Sequence, residues 1–217
     1  MTYKAVLFDL DGTLLDTLAD LANSMNRVLA QAGFPTHDVA CYRYFVGDGL
    51  LTLVKRVLPQ ECQDEETVQR CFAAMQAEYG RRWAELTRPY DGIPELLQQL
   101  AERAIPLTIL SNKPDEWTQI MVRHFFPQQA FQLVYGQRPS VPKKPDPAGA
   151  LEIAAALDIP PEQFLYLGDT NTDMQTANSA GMMAIGVLWG FRPAEELLAA
   201  GAKKLIAQPS ELLALCL

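Results

Sequence analysis

The sequence predicts an α/β protein: a parallel sheet covered by helices on both faces, with a helical block inserted after the first strand. Three observations carry this reading. Short apolar runs recur, and each ends in a polar cluster: Ala5 to Phe8 before Asp9, Leu107 to Leu110 before Ser111, and Phe164 to Leu167 before Gly168-Asp169. Between most of these runs lie stretches with apolar residues at i, i+3, i+4 and i+7, and strands alternating with helices make a parallel sheet. From 17 to 87 the alternation stops, and only helical patterning is found.

Each element has its own local reason. Ala5-Val6-Leu7-Phe8 is apolar at every position, as expected of a strand buried on both faces. Leu18, Leu21, Ala22, Met25, Val28, Leu29 and Ala32 form one helical stripe, which Gly33 and then Pro35 terminate. Leu50 to Leu58 and Val68 to Trp83 also read as helices. The predicted division is therefore a core of 1–16 and 88–217 with a helical insert, 17–87. In the core, helices are predicted over Glu95 to Arg103, Glu116 to Phe126, Asp146 to Leu157 (with Pro147 in its first turn), Asn171 to Ala180 and Ala194 to Ala200. The remaining strands are Leu133 to Tyr135, Met183 to Val187 and Lys204 to Ile206.

Composition removes several classes. The 217 residues are 49% hydrophobic and 20% charged, which is globular rather than disordered. Eighteen basic against 26 acidic residues give a net charge of −8, which argues against nucleic acid or an anionic membrane as partner. The longest nearly apolar stretch, Ala180 to Phe191, is broken by Gly181, Gly186 and Gly190 and is too short to span a bilayer. Cys41, Cys62, Cys71 and Cys216 form no C-x-x-C pair and no export signal precedes them, so reduced thiols in a cytoplasmic protein are expected. With only His37 and His124, a His-rich zinc site or a Ser-His-Asp triad has little to draw on. Neither glycine-rich nucleotide-loop fingerprint occurs. The pattern leaves monomer and homodimer equally open.

Ligands of an open parallel sheet gather at the carboxyl ends of its strands, and the polar clusters stand there. Asp9 and Asp11 follow the first strand, Ser111 the second, and Asp169 a later one, with Asp173 one helical turn on. Carboxylates converging in an apolar scaffold repel each other and call for a cation, and oxygen ligands suit Mg²⁺. With that ion, phosphoryl transfer becomes the natural chemistry. One Asp serves as nucleophile, and an Asp two residues on, across the Asp11-Gly12 turn, serves as general acid and base. Ser111 and nearby backbone N–H groups hold a phosphoryl oxygen. A lysine comes from Lys143-Lys144-Pro145, placed at a predicted helix start that favours anions.

These residues resemble the motifs of the haloacid dehalogenase superfamily. Asp9-Leu10-Asp11-Gly12-Thr13-Leu14-Leu15-Asp16 is similar to its first motif. Ser111, Lys144 before Pro145, and Gly168-Asp169-Thr170-Asn171-Thr172-Asp173 are similar to the second, third and fourth, in order. The resemblance covers essentially the whole chain and implies a Rossmann-like parallel sheet core with an inserted helical cap domain. It implies Asp9 as nucleophile, Asp11 as acid and base, and Ser111, Asn112 and Lys144 as phosphate-binding. Mg²⁺ would lie on Asp9, the Asp11 carbonyl and Asp169, supported by Thr13, Gly168 and Asp173. Phe45-Val46-Gly47-Asp48-Gly49 and Ser111-Asn112-Lys113-Pro114 most resemble the phosphoglycolate phosphatases, implying a small phosphate ester, 2-phosphoglycolate, as substrate. Asp48 departs from that pattern, where a neutral residue is expected. Arg43, Gly47, Gly49, Lys55 and Lys113 are candidate substrate contacts. A sugar-phosphate mutase, or a phosphatase for another small ester, stays open. Asp11 disfavours a dehalogenase, and the helical insert disfavours a non-enzymatic receiver module.

Overall fold

The computed structural model describes residues 3–215, and the chain divides into two compact units at Leu15/Asp16 and Arg88/Pro89. Cys216 lies outside the described residues. From the N-terminus the elements are β1 (Ala5–Phe8), β2 (Leu15–Asp16), α1 (Leu18–Gln31), α2 (Tyr42–Phe45), α3 (Leu50–Val57) and α4 (Glu65–Arg82). Next come β3 (Arg88–Pro89), α5 (Ile93–Glu102), β4 (Leu107–Pro114), α6 (Asp115–Phe125), β5 (Leu133–Gln137) and α7 (Ala148–Ala156). The chain continues with β6 (Phe164–Gly168), α8 (Asn171–Ser179), β7 (Met183–Val187), α9 (Ala194–Ala199) and β8 (Lys204–Ile206). Among the described residues, no helix is long and apolar enough to cross a membrane.

The first unit is built on a six-stranded parallel sheet in the order β5-β4-β1-β6-β7-β8, flanked by helices. β1 lies inside the sheet and all four of its residues are buried, which is why its sequence shows no polar alternation. One side of the core packs Leu7, Phe164 and Tyr166 against Ala150 and Ile153 of α7 and Met174 and Ala177 of α8. The register then positions the polar clusters. Phe8 pairs with Ile109 on β4 and with Leu167 on β6, so these strands reach their carboxyl ends together. Asp9, Ser111 and Asp169 all follow within two residues of that level.

The second unit, Asp16–Arg88, is helical. The stripe of α1 buries Leu18, Leu21, Met25, Val28 and Leu29, and α4 packs on this helix with Val68, Cys71, Met75 and Tyr79 buried. A buried carboxylate holds the end of the unit: Asp20 accepts from the Thr87 N–H and Thr87 Oγ1, both at 2.8 Å, and from the Leu86 N–H at 3.0 Å. Cys41, Cys62 and Cys71 are free thiols.

Several boundaries differ from the expectations above. α4 begins at Glu65 rather than Val68, because the Asp64 side chain caps it by accepting from the Thr67 N–H at 2.9 Å. That first turn is polar and shows no apolar period. β4 runs on to Pro114, so Ser111, Asn112 and Lys113 are buried strand residues rather than a loop after the strand. α7 begins at Ala148, which leaves Lys143 and Lys144 ahead of the helix and not at its first turn. The two-residue strands β2 and β3 and the single-turn α2 are too short to give a periodic signal.

Candidate active site

Beyond β1 and β6 the structure brings three carboxylates together. Oxygen atoms of Asp9, Asp169 and Asp173 lie within 4.8 Å of one another, and all three residues are buried. Asp173 reaches the cluster from the first turn of α8, where it forms a reciprocal cap with Thr170: the Thr170 N–H donates to its Oδ2 at 3.1 Å and its own N–H donates to Thr170 Oγ1 at 3.4 Å. Capping and clustering therefore coexist at Asp173. Asp169 accepts from Thr13 Oγ1 at 3.2 Å and from the Phe191 N–H at 2.8 Å.

The Asp9 carboxyl is pushed up to about 7, first by burial and then by the charge of Asp173, with Lys144 opposing. Burial, then Asp173 and Asp9, raises Asp169 well above the carboxylate range. Lys144 supplies the compensating charge. Its Nζ donates to Asp9 Oδ1 and Asp173 Oδ1, both at 2.7 Å, and to the Leu110 carbonyl at 3.1 Å. Burial alone would lower the Lys144 ammonium, yet its two acidic partners hold it well above the usual lysine value. Of the two lysines left open by sequence, Lys144 points inward and Lys143 is exposed.

β4 supplies the opposite wall. Ser111 Oγ accepts from the Lys113 N–H at 3.2 Å, a bond that uses a lone pair and keeps the hydroxyl proton available to donate. Asn112, grouped with the phosphate ligands by sequence, uses its amide differently. Its Oδ1 accepts from the Lys144 N–H at 2.9 Å and its Nδ2 donates to the Lys144 carbonyl at 3.1 Å, so it fixes the lysine's backbone. Lys113, expected as a substrate contact, donates from Nζ to both oxygens of Asp11, at 3.0 and 2.8 Å. Asp11 thus stands beside the cluster, paired with its own cation.

The fit around Asp169 depends on missing side chains. Gly12 has φ +88°, and a Cβ there would lie 2.3 Å from Asp169 Oδ2. At Gly190 a Cβ would lie 2.2 Å from Asp169 Cβ and 2.5 Å from the Gly12 carbonyl. A Cβ on Gly168 would lie 2.2 Å from Asp173 Cβ. The segment Trp189-Gly190-Phe191 ends the apolar stretch Ala180 to Phe191 and is not among the candidates that the sequence offers. The Trp189 indole N–H donates to the Thr13 carbonyl at 3.0 Å, while Phe191 holds Asp169. The available signal was position: the segment follows β7, the strand next to β6, at the same carboxyl edge.

The other sequence candidates belong to the helical unit. Arg43 and Lys55 are exposed there, and Gly47 and Gly49 both have positive φ, +109° and +89°. Asp48, between those glycines, pairs with Arg56 at 2.5 Å, and Arg56 Nη1 also donates to the Phe45 carbonyl at 3.2 Å. The negative charge that departs from the family pattern is therefore compensated by Arg56 of the following helix, α3.

With this sheet and this lysine-bridged carboxylate cluster at its carboxyl edge, the chain matches a hydrolase family over residues 6–187: it belongs to the haloacid dehalogenase-like hydrolases. Over 200 residues the chain is 32% identical to the phosphoglycolate phosphatase of Thiobacillus denitrificans, covering 89% of this chain and 88% of that protein. Over 192 residues it is 30% identical to the phosphoglycolate phosphatase of Pseudomonas putida, covering 87% and 70%. A solved Lactobacillus delbrueckii structure, provisionally named a phosphoglycolate phosphatase, matches with TM-score 0.94 and 30% identity over 100% of this chain and 99% of that one. The chain is accordingly an enzyme of the phosphoric monoester hydrolase class.

Proposed function

We propose that this enzyme is a Mg²⁺-dependent phosphatase of small, doubly anionic phosphate esters, with 2-phosphoglycolate as the preferred substrate, working through an aspartyl-phosphate on Asp9. The observation that carries the reading is the Asp9–Asp169–Asp173 cluster with Lys144 between two of its members. The donor set suits a hard divalent cation: three carboxylates whose burial, and then mutual repulsion, raises Asp9 and Asp169. Asp9, Asp169 and the Asp11 carbonyl, with Asp173, would hold the ion. When bound, it would neutralise charge on the phosphoryl oxygens.

The protein groups then have distinct tasks. Lys144 opposes the protonation of Asp9 and orients it, as a carboxylate nucleophile requires. An Asp9 oxygen attacks phosphorus, the ester P–O bond breaks, and Asp11 gives its proton to the departing alkoxide. Asp11 then takes a proton from water, whose oxygen attacks the same phosphorus, releasing inorganic phosphate and restoring Asp9. The Ser111 hydroxyl donates to a phosphoryl oxygen. The helical unit, Asp16–Arg88, is the part of the chain to which selection of the ester is assigned. Support for the substrate comes from the relatives named phosphoglycolate phosphatases, matched over most of their length.

The test compares 2-phosphoglycolate, ethyl phosphate and larger sugar phosphates by kcat/KM, with Mg²⁺ and with EDTA, for wild type and Asp9→Asn. Loss of turnover in EDTA and in Asp9→Asn at unchanged fold is expected, with phosphoglycolate ranked first. Asp9→Asn turning over within roughly tenfold of wild type would remove the covalent route, since general acid catalysis and binding alone give less. A higher kcat/KM for a neutral or bulky ester would remove the substrate assignment and leave the phosphatase class.

A further inference from the structure

We propose that Lys113 is the receptor for the second anionic group of the substrate, and that its ion pair with Asp11 is a resting arrangement which that anion displaces. This rests on the phosphatase reading above and assigns its specificity to a core residue.

The site holds two buried lysines in opposite situations. Lys144 has its three N–H groups committed to Asp9, Asp173 and the Leu110 carbonyl, and these acidic partners are 8% and 1% exposed. It is a permanent part of the cluster. Lys113 is equally buried, with 5% of its side chain exposed, but its partner Asp11 is 18% exposed. The Lys113–Asp11 pair therefore stands at the open side, where an incoming anion can reach it. Backbone contacts fix the position of Lys113: its N–H donates to Ser111 Oγ at 3.2 Å and its carbonyl accepts from Thr118 Oγ1 at 3.2 Å.

A buried ammonium needs an anion beside it, and leaving one unpaired is strongly unfavourable. Both oxygens of Asp11 are engaged by Lys113, so the carboxyl cannot turn to a leaving group while it holds that ammonium. A substrate carboxylate placed on Lys113 removes that conflict. It replaces Asp11 as counter-ion and frees Asp11 to bind a proton from water and turn to the ester oxygen. Ser111, which adjoins Lys113, takes the phosphoryl end, so the two anionic groups of the ligand must be close together, as in a short phosphorylated acid. A neutral ester fills the phosphoryl position but leaves Asp11 clamped. Discrimination then falls on kcat as well as on KM.

The experiment measures kcat and KM for 2-phosphoglycolate and ethyl phosphate with wild type, Lys113→Met and Lys113→Arg, with melting temperatures alongside. For Lys113→Met, the ratio of the two kcat/KM values should fall by about 10- to 100-fold, the worth of one charge-assisted bond, with part of the fall in kcat. Lys113→Arg should retain most of the ratio. If Lys113→Met fails to fold, Lys113→Gln, which keeps a donor without the charge, should show the same fall. A ratio within about threefold of wild type, or equal losses on both substrates, overturns the assignment. Wild type that hydrolyses neither of these nor p-nitrophenyl phosphate overturns the phosphatase reading itself, and the Lys113 assignment with it. Hydrolysis of p-nitrophenyl phosphate with no preference for the acid overturns Lys113 alone.

Discussion

Lys144→Met offers a measurement of how the acidic cluster is held together. The substitution keeps the aliphatic length of the side chain and removes its ammonium, which touches Asp9 Oδ1 and Asp173 Oδ1 at 2.7 Å each. Lys144 is 3% exposed, so water cannot replace the lost charge. Removing one partner of a buried ion pair costs about 3–5 kcal/mol. Two carboxylates lose their cation here, but Asp9, already raised to about 7, and Asp169 can take up protons instead, which limits the cost at low pH. For a chain of this size 1 kcal/mol shifts the melting temperature by about 2–4 °C, so a fall of about 6–20 °C is expected in EDTA at a pH well above that of Asp9. The fall should shrink on acidification, and adding Asp173→Asn should restore part of it by removing one orphaned charge. The assay is thermal unfolding of wild type, Lys144→Met and the double variant in EDTA on both sides of neutrality. A loss under about 2 °C at alkaline pH, or one that does not depend on pH, would show that Lys144 does not neutralise the cluster.

Other perturbations test separate links. Gly190→Ala forces a Cβ to within 2.2 Å of Asp169 Cβ and 2.5 Å of the Gly12 carbonyl. It should cost about 1–3 kcal/mol and most of the turnover, and a variant with normal kcat and melting temperature would refute the close fit. Asp9 also sets a pH dependence. Its carboxyl is raised from 3.8 to about 7, so between those values the folded metal-free protein holds a proton that the unfolded chain has lost. This group therefore favours the fold at low pH, and its contribution is lost as pH rises through about 7. Denaturant melts in EDTA should show a slope across that window that flattens in Asp9→Asn; identical slopes would count against it. Asp20→Ala removes the acceptor for the Leu86 and Thr87 N–H groups, and a loss of about 2–4 kcal/mol is expected. Hydrogen exchange should rise first at those two amides, and unchanged exchange there would contradict the anchoring role.

The class of fold and the chemistry-bearing residue types are legible in local patterns along the chain. Fully buried strands must be apolar along their length, helices covering a sheet must carry a stripe, and both patterns are local, so Ala5 to Phe8 and the stripe of α1 could be read directly. The acidic ends of β1 and β6 were legible for the same reason: a carboxylate following a buried strand stands out against apolar neighbours. Only the tertiary structure decided how each polar group is spent. Asn112 and Lys113 are neighbours on β4, yet one holds the Lys144 backbone and the other holds Asp11. Trp189, Gly190 and Phe191 look like the end of an apolar stretch, and become part of the site because β7 lies beside β6 and delivers them onto Thr13 and Asp169. Asp48 looks like a charge facing the substrate until Arg56, in the last turn of α3, is found beside it. Hydrophobic burial depends on spacing along the chain, which a sequence displays. Hydrogen bonds and ion pairs depend on atoms meeting within about 3 Å across distant segments, and that is settled only when the sheet register is formed.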